Sequence, residues 1–155
     1  FPPMFTLVPY TTLFRSIFQK DEQEKHKFKS ILNILLVEDS QFSLELAQMV
    51  LEGEGHTVTS AASGLEALKV LSKERFDVIV MDIQMPEMDG FEAVEKIRSL
   101  DNQALAEIAV VALTADAQND TRDACLAAGM NDFLTKPFTM DQIAEAIKKW
   151  TQKDE

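Results

Sequence analysis

Short apolar runs alternate with longer amphipathic segments from residue 31 to the end of the chain. The apolar runs cover residues 31–37, 57–61, 78–81, 108–113 and 132–134. Runs of this length, rich in Val, Ile and Leu and separated by segments with helical spacing, are typical of strands in βαβ units. The pattern therefore predicts five strands that alternate with five helices.

Apolar side chains in the segments between the strands recur with the period of an α-helix. The first and last segments show this most clearly, through Phe42, Leu46, Met49 and Val50 in the first and Met140, Ile143, Ala144 and Ile147 in the last. Ser40, Ser63 and Thr139 lie at helix starts, where a side-chain oxygen can accept from backbone N–H groups. Gly129 follows the fourth helix, near residues 119–128, as an expected C-cap.

Strand–helix alternation of this kind predicts an α/β fold, a doubly wound parallel sheet with helices on both faces. The runs at 31–37, 78–81 and 108–113 are almost wholly apolar, as in central strands that are buried on both sides. Residues 57–60 are more polar, which favours an edge strand.

Composition and charge exclude several classes of protein. The 155-residue chain is 46% apolar with one cysteine, which excludes a disulfide framework or a cysteine-rich zinc site and suits a reducing compartment. The net charge is −11, so nucleic acid is not an expected partner, because a phosphate backbone binds a basic surface. No apolar run approaches the roughly 20 residues that span a bilayer, so we expect no membrane contact by this domain.

The charge is uneven, and it divides the chain near residue 30. Residues 1–30 carry a net charge of +2, from 5 basic and 3 acidic residues, whereas residues 31–155 carry −13, from 10 basic and 23 acidic residues. Residues 17–30 are mostly charged and lack Gly and Pro. This composition indicates a solvated linker or the end of a helix from an upstream domain. We assign the folded domain to residues 31–152.

Residues 1–16 have the character of foreign sequence. Residues 6–16 closely resemble one reading frame of a common sequencing-library adaptor, which differs by a Phe at the third place. We interpret residues 1–16 as an assembly artefact and exclude them from the fold. The alternative is a genuine signal or anchor segment, but the stretch has no basic start and contains Pro2, Pro3 and Pro9. An unbroken genomic read across residues 15–17 would refute the artefact interpretation.

Polar residues with chemical potential follow four of the predicted strands. The first strand ends in Glu38 and Asp39, the third in Asp82, the fourth in Thr114 and the fifth in Lys136. Ligands of an open parallel sheet bind outside the carboxyl ends of its strands. The sequence therefore predicts three carboxylates, a hydroxyl and an ammonium group on one rim of the sheet.

This set of groups favours phosphoryl chemistry. Three neighbouring carboxylates require a cation, and oxygen ligands suit Mg²⁺, which binds few carboxylates together with phosphate oxygens. A lysine and a threonine beside the metal can hold the remaining phosphoryl oxygens, since phosphoryl transfer depends mainly on positioning and charge neutralisation. A carboxylate can be the nucleophile, and Asp82 is the best candidate because a turn after an apolar strand keeps it accessible.

Four motifs resemble the receiver domains of two-component response regulators. They are Leu35–Ser40, Met81–Gly90, Ala112–Ala115 and Gly129–Phe138. The resemblance covers residues 31–150 in the right order and spacing, and its wording is most similar to the C-terminal receivers of hybrid histidine kinases. It implies a flavodoxin-like sheet with strand order 2-1-3-4-5.

The resemblance also implies a role for each site residue. It makes Asp82 the phosphoacceptor, with Glu38, Asp39 and the Gln84 carbonyl as further Mg²⁺ ligands. It makes Thr114 the switch hydroxyl and Phe133 the aromatic that moves on activation. It also makes Lys136 the partner of the phosphoryl group and places Pro137 after a cis peptide bond. The family often has Tyr where this chain has Phe133, so switching here must act through packing alone. Gln84 and Asp116 occupy positions that tune the acyl-phosphate lifetime in this family.

The implied function is signal transduction through a phosphorelay. Such a domain accepts a phosphoryl group from the phospho-histidine of a histidine kinase or a histidine phosphotransfer domain. It then changes the surface formed by its fourth predicted helix, fifth strand and fifth predicted helix. It is not an enzyme beyond its own phosphorylation and dephosphorylation, although its parent protein can be a kinase. We expect a cytoplasmic location, which a membrane-anchored parent kinase would also allow.

Other functions fit the pattern less well. Asp-nucleophile phosphatases typically have Asp-x-Asp, whereas this chain has Asp82-Ile83-Gln84 and no room for a cap domain. A flavodoxin-like electron carrier needs a hydroxyl-rich phosphate loop where this chain has residues 38–41. A phosphorylation-independent interaction module is disfavoured because every site residue is present. A stand-alone response regulator remains the alternative to a hybrid-kinase origin.

Three further residues are predicted to be structural. His56 follows Gly55 at a strand start and is expected on the surface. Cys125 is expected to be a small buried filler. Trp150 is expected to anchor the last helix by packing.

Overall fold

Five parallel strands form one sheet in the part of the chain described by the computed structural model, which covers residues 31–85, 88–116 and 118–151. The strands are β1 (Asn33–Val37), β2 (Thr57–Ala61), β3 (Val78–Asp82), β4 (Ala109–Thr114) and β5 (Asp132–Thr135). Their order across the sheet is β2-β1-β3-β4-β5, which confirms the predicted flavodoxin-like topology. The adaptor-like segment and the charged linker lie outside the described residues, and both interpretations stay predictions.

Six helices connect or follow these strands within the same residues. They are α1 (Gln41–Gly53), α2 (Gly64–Leu71), α3 (Gly90–Arg98), α4 (Gln103–Ala106), α5 (Asn119–Ala128) and α6 (Met140–Thr151). The sequence pattern missed α4, because four residues are too few to show a helical period. Asn102 caps this short helix by accepting from the N–H groups of Ala104 and Leu105. The fourth and fifth predicted helices correspond to α5 and α6.

Alternate residues of the central strands point to opposite faces of the sheet and fill two apolar layers. Leu35, Ile79 and Val110 belong to the layer that packs against α2, α3 and α5. Their neighbours Leu36 and Val80 belong to the layer that packs against α1 and α6. All residues of β3 and β4 are buried, whereas four of the five residues of β2 at the sheet edge are exposed or half-buried, as its polar sequence predicts.

Helix α1 forms as predicted, but most of the apolar residues that outlined it face solvent. Phe42, Leu46 and Met49 are 73%, 45% and 63% exposed. The side chains that α1 buries against the sheet are those of Ala47 and Leu51. The apolar period therefore predicts the helix correctly, yet three of its four residues lie on the solvent-facing side. We call Phe42, Leu46 and Met49 the α1 stripe.

The predicted caps are present. Ser40 accepts from the N–H of Ser43, Ser63 from that of Glu66, and Thr139 from that of Gln142. Gly129 ends α5 with φ 103°, a left-handed conformation that favours glycine. None of the helices in the described ranges is long and apolar enough to cross a membrane.

Two of the predicted structural residues behave differently from expectation. His56 is 5% exposed rather than on the surface, because its Nδ1 accepts from the backbone N–H of Leu32 at 3.1 Å beneath the sheet end. Trp150 is 38% exposed and anchors the end of α6 through a polar contact, since its Nε1 donates to Asp132 Oδ2 at 3.0 Å. Cys125 is fully buried, as expected.

Candidate functional site

The carboxyl ends of β1, β3 and β5 bring four predicted site residues together. Lys136 Nζ lies 2.7 Å from Glu38 Oε2 and 3.2 Å from Asp82 Oδ2. One carboxylate oxygen each from Glu38, Asp39 and Asp82 lies within 4.8 Å of the others. We call Glu38, Asp39, Asp82 and Lys136 the charged rim. The structure thus confirms that these residues, which come from three distant segments of the sequence, share one edge of the sheet.

Asp82 is held at the end of β3 by the backbone that follows it. Its Oδ1 accepts from the N–H of Gln84 at 2.9 Å, and the side chain is nearly buried. Gly90 makes the next turn possible, because a Cβ there would lie 2.7 Å from the Cα of Ile83 and 3.0 Å from the Asp82 carbonyl oxygen. Helix α3 can therefore start directly against the backbone of the candidate phosphoacceptor. The Gln84 carbonyl as a metal ligand stays a prediction.

Glu38 and Asp39 are consecutive but have different surroundings. Glu38 is 1% exposed, and its two oxygens accept from the N–H of Ser40 and from Lys136. Burial raises the pKa of Glu38, while the hydrogen bond from Lys136 opposes that rise. Asp39 is exposed to solvent at the mouth of the site. Asp39 is therefore the more accessible carboxylate.

Lys136 joins the carboxylates across the sheet. Its backbone N–H donates to the Thr114 carbonyl at 2.7 Å, which fixes the end of β5 against the end of β4. Burial alone would lower the pKa of its ammonium, but the hydrogen bond to Glu38 and the charges of Asp82 and Glu38 outweigh burial and raise that pKa. Lys136 is thus firmly cationic. The bond between Lys136 and Pro137 is cis, as the resemblance implies.

In the described residues the side chains of the two predicted switch residues make no hydrogen bond to the charged rim, although the Thr114 carbonyl accepts from the Lys136 N–H. Thr114 is fully buried, and its Oγ1 accepts from the N–H of Asp116 at 3.0 Å and donates to the Asp116 carbonyl at 3.2 Å. Phe133 pairs with Ala112 in the sheet, is half-buried, and carries the Arg122 guanidinium 5.7 Å from its ring centroid. The hydroxyl is therefore turned to its own loop rather than to Asp82.

One polar cluster, at the amino ends of β4 and β5, has no signal in the sequence. The Arg98 guanidinium donates to three backbone carbonyls and one side chain, those of Gly129, Ala106, Ile108 and Asn131. Burial lowers the pKa of Arg98. These bonds fix the end of α3 to the loops before β4 and β5. A lone arginine at a helix end has no sequence pattern that marks it as a clamp.

The charged rim fits a divalent cation. Three carboxylates and one ammonium carry a formal net charge of −2, which one Mg²⁺ would neutralise. All the available donors are oxygens, the type that Mg²⁺ prefers, and the exposed Asp39 leaves space for the waters that the ion retains. The donor set and its charge therefore match the ion implied by the sequence.

The chain belongs to the response regulator receiver domain family, whose pattern matches residues 34–148. It is 40% identical over 131 residues to hybrid signal transduction histidine kinase B of Dictyostelium discoideum, covering 78% of this chain and 7% of that protein. It is 39% identical over 119 residues to the sensor protein GacS of Pseudomonas syringae, covering 76% of this chain and 13% of that protein. The chain is thus a receiver domain of a two-component phosphorelay, and it spans a small part of these relatives.

Solved structures agree in fold. The receiver domain of a sensor histidine kinase from Pseudomonas aeruginosa, with magnesium coordinated in its active-site cleft, matches with a TM-score of 0.72 and 35% identity over 79% of this chain and 98% of that one. A chain from the co-crystal structure of the Saccharomyces cerevisiae phosphotransfer protein Ypd1 with the Ssk1 receiver domain matches with a TM-score of 0.74 and 28% identity, covering 81% and 92%.

Proposed function

We propose that Asp82 accepts the phosphoryl group and that the other rim residues prepare it to do so. The observation that carries this assignment is the position of Asp82 at the end of β3, with Lys136 Nζ at 3.2 Å and the oxygens of Glu38 and Asp39 close by. A nearly buried carboxylate that meets both a cation and a candidate metal site is suited to attack an electrophilic phosphorus.

The proposed transfer is a simple exchange of bonds. A carboxylate oxygen of Asp82 forms a bond to phosphorus, the P–N bond to the donor imidazole breaks, and the electron pair of that bond returns to the imidazole nitrogen. Lys136 lies where it can donate to a phosphoryl oxygen as charge develops. Asp39, Asp82 and the Gln84 carbonyl, with Glu38 beside them, would hold Mg²⁺, and the bound ion would neutralise charge on the phosphoryl oxygens.

The partner proposed for this reaction is a histidine phosphotransfer domain or a histidine kinase. Helix α1 starts two residues after Asp39, so the α1 stripe continues the surface that any phosphoryl donor must cover. Its three apolar side chains are exposed, and Glu45 and Glu52 border them on the same helix. An apolar surface with basic residues around it would complement this face. The yeast co-crystal shows that a receiver of similar fold binds a phosphotransfer protein.

The whole protein is proposed to be a hybrid histidine kinase. The kinase relatives support this, since the chain covers 7% and 13% of two of them. A stand-alone response regulator is the alternative. We further propose a cytoplasmic domain whose own chemistry is limited to phosphorylation and dephosphorylation of Asp82, with any kinase activity belonging to the parent.

The test is phosphorylation by acetyl phosphate with Mg²⁺, followed by intact-protein mass spectrometry. Wild type should gain one phosphoryl group that hydroxylamine removes, as expected of an acyl phosphate. Asp82→Asn should gain none, because an amide is a poor nucleophile. Asp101→Asn, which changes an exposed aspartate away from the rim, is the matched control and should behave like wild type. Labelling of Asp82→Asn at the wild-type rate would overturn the assignment.

A further inference from the structure

A chain of hydrogen bonds connects the switch hydroxyl to the first turn of α5. Thr114 Oγ1 is bonded to the backbone N–H and carbonyl of Asp116. The Asp116 carboxylate in turn accepts from the Gln118 N–H at 2.9 Å and from the Thr121 hydroxyl at 2.9 Å. We call Thr114, Asp116, Gln118 and Thr121 the switch segment.

The side chain of Asp116 takes the capping role that the residue before α5 leaves unfilled. Gln118 is the N-cap residue, but its own side chain makes no capping hydrogen bond. Asp116 reaches past it to a backbone N–H and to Thr121, which lies inside the helix. The loop is therefore tied to α5 by a side chain whose backbone also holds Thr114. Loss of one of these hydrogen bonds must change the geometry of the others, because Asp116 takes part in all of them.

The segment borders an open space. A cleft of about 300 Å³ lies between the end of β3 and α5, lined by Gln84, Phe91, Thr114, Asp116 and Thr121 among others. The loop thus has room to move once its hydrogen bonds are exchanged. For Thr114 to donate to a phosphoryl group on Asp82, its hydroxyl must give up the bond that it donates to the Asp116 carbonyl.

We propose that Thr121 is a positioning residue that, through Asp116, holds Thr114 in the conformation turned away from Asp82. This inference rests on the proposed function, since it assigns a resting-state bias to the switch of the same site. In the resting state, the Thr121 hydroxyl stabilises the position of Asp116, whose backbone groups bond the Thr114 hydroxyl. Phosphorylation then has to overcome this bond, so Thr121 sets how strongly the domain resists activation.

The sign of the effect follows from which state keeps the bond. Removing an interaction made only in the resting state destabilises that state and increases the fraction of molecules with Thr114 free to turn. A ligand that binds only the turned state then binds more tightly overall, by the factor by which the fraction of molecules in that state has increased. A hydrogen bond of ordinary net strength between half-exposed groups, such as Thr121 and Asp116, corresponds to about a three- to tenfold change.

The experiment compares Thr121→Val with Thr121→Ser, using beryllofluoride with Mg²⁺ as the phosphoryl mimic. Valine keeps the shape and the β-branch of threonine but removes the hydroxyl, and helix propensity is nearly unchanged. Serine keeps the hydroxyl and is the rescue variant. Mimic affinity is measured by calorimetry, and amide hydrogen exchange of Asp116 is measured by NMR without any ligand.

The expected result is tighter mimic binding by Thr121→Val, about three- to tenfold, with faster exchange of the Asp116 N–H and a slightly lower melting temperature. Thr121→Ser should match wild type in affinity and exchange. A residue that merely supported the helix would lower the melting temperature without tightening the mimic. Unchanged or weaker binding by Thr121→Val, or equal tightening by Thr121→Ser, overturns the proposal.

The two proposals fail in different ways. If wild type and Asp82→Asn bind the mimic equally, the assignment of Asp82 is wrong. The exchange measurement still decides the role of Thr121, because it needs no ligand. If Asp116 stays equally protected in Thr121→Val, the switch segment is not coupled as proposed, whatever Asp82 does.

Discussion

The charged rim and the switch segment lie at neighbouring strand ends, yet they are organised by different forces. At the rim, the buried carboxylates of Glu38 and Asp82 meet the ammonium of Lys136 at 2.7 and 3.2 Å. In the switch segment, Thr114 and Asp116 are joined by bonds to backbone groups in a short loop. Charged pairs across three strands fix a geometry, whereas local bonds in one loop can be exchanged at small energy difference.

This difference separates the chemistry from the signal. On the proposed function, the charges of the rim already lie where an incoming phosphoryl group needs them, because they are set by strands that cannot shift without disrupting the sheet. On the same proposal, the switch segment has the resting conformation, since the Thr114 hydroxyl bonds its own loop. Changes to the rim should therefore alter transfer, and changes to the switch segment should alter its consequences.

The largest effect is expected at Lys136. Lys136→Met should reduce the rate of phosphorylation by acetyl phosphate by about 100-fold, because it removes a preorganised cation from developing negative charge. The rate is measured by intact-protein mass spectrometry at saturating Mg²⁺. Lys73→Met, which changes an exposed lysine away from the rim, is the matched control and should keep the wild-type rate. A wild-type rate in Lys136→Met would show that the rim does not act as a unit.

The next largest effect concerns Mg²⁺ affinity, and it differs between two carboxylates of the rim. Asp39→Ala should weaken Mg²⁺ binding by about tenfold or more, and Glu38→Ala should weaken it less. The structural reason is that the Glu38 oxygens are occupied by Lys136 and the Ser40 N–H, whereas Asp39 is open to solvent. Calorimetry measures both affinities, with Asp101→Ala as the control. Equal affinity in wild type and Asp39→Ala would contradict the site.

A smaller and more selective effect is expected at Thr114. Thr114→Ala should still accept beryllofluoride, but the mimic should no longer shift the amide signals of the surface formed by α5, β5 and α6. The reason is that the hydroxyl which links the phosphoryl group to the loop is gone. Thr114→Ser keeps the hydroxyl and should retain the distant shifts. Phe133→Tyr should also be tolerated, since this residue acts by packing. Wild-type shifts of α5 in Thr114→Ala would show that the Thr114 hydroxyl does not link the rim to α5.

The sequence predicted the rim better than the switch segment, and the reason is physical. Glu38, Asp82 and Lys136 each end an apolar strand, so the topology of a parallel sheet places them together without knowledge of side-chain detail. The bond from Thr121 to Asp116 depends on loop geometry, which has no period. The short helix α4 and the Arg98 clamp were missed for the same reason.

The sequence pattern also did not predict which side chains of α1 are buried, or that His56 is buried. The α1 stripe has the same spacing as a core face, and only packing against the sheet shows that Ala47 and Leu51 are buried instead. His56 was expected on the surface because it follows a turn glycine. Its burial depends on the backbone N–H of Leu32, a partner 24 residues away that no local pattern reveals.

His56 gives the smallest predicted effect and a control for pH studies of the rim. Burial lowers the pKa of His56 below its ordinary value of 6.5, while the charge of Asp77 partly opposes this. Between the folded and unfolded pKa values, the unfolded chain binds more protons. The stabilisation from neutral His56 is therefore complete above pH 6.5 and is lost as pH falls through the folded pKa. Protonation of Nδ1 would also break its bond from Leu32.

His56→Asn should remove this part of the acid sensitivity, because an amide oxygen can accept from the Leu32 N–H without titrating. The measurement is urea unfolding of wild type and variant from pH 7.5 to 5, with Mg²⁺ absent so that the rim is not stabilised by metal. The gap in unfolding free energy between the two proteins should change only below about pH 6.5. A gap that stays constant with pH would show that the pKa of His56 is the same in the folded and unfolded states. Acid sensitivity that persists in His56→Asn then belongs to other groups, with the rim carboxylates the first to test.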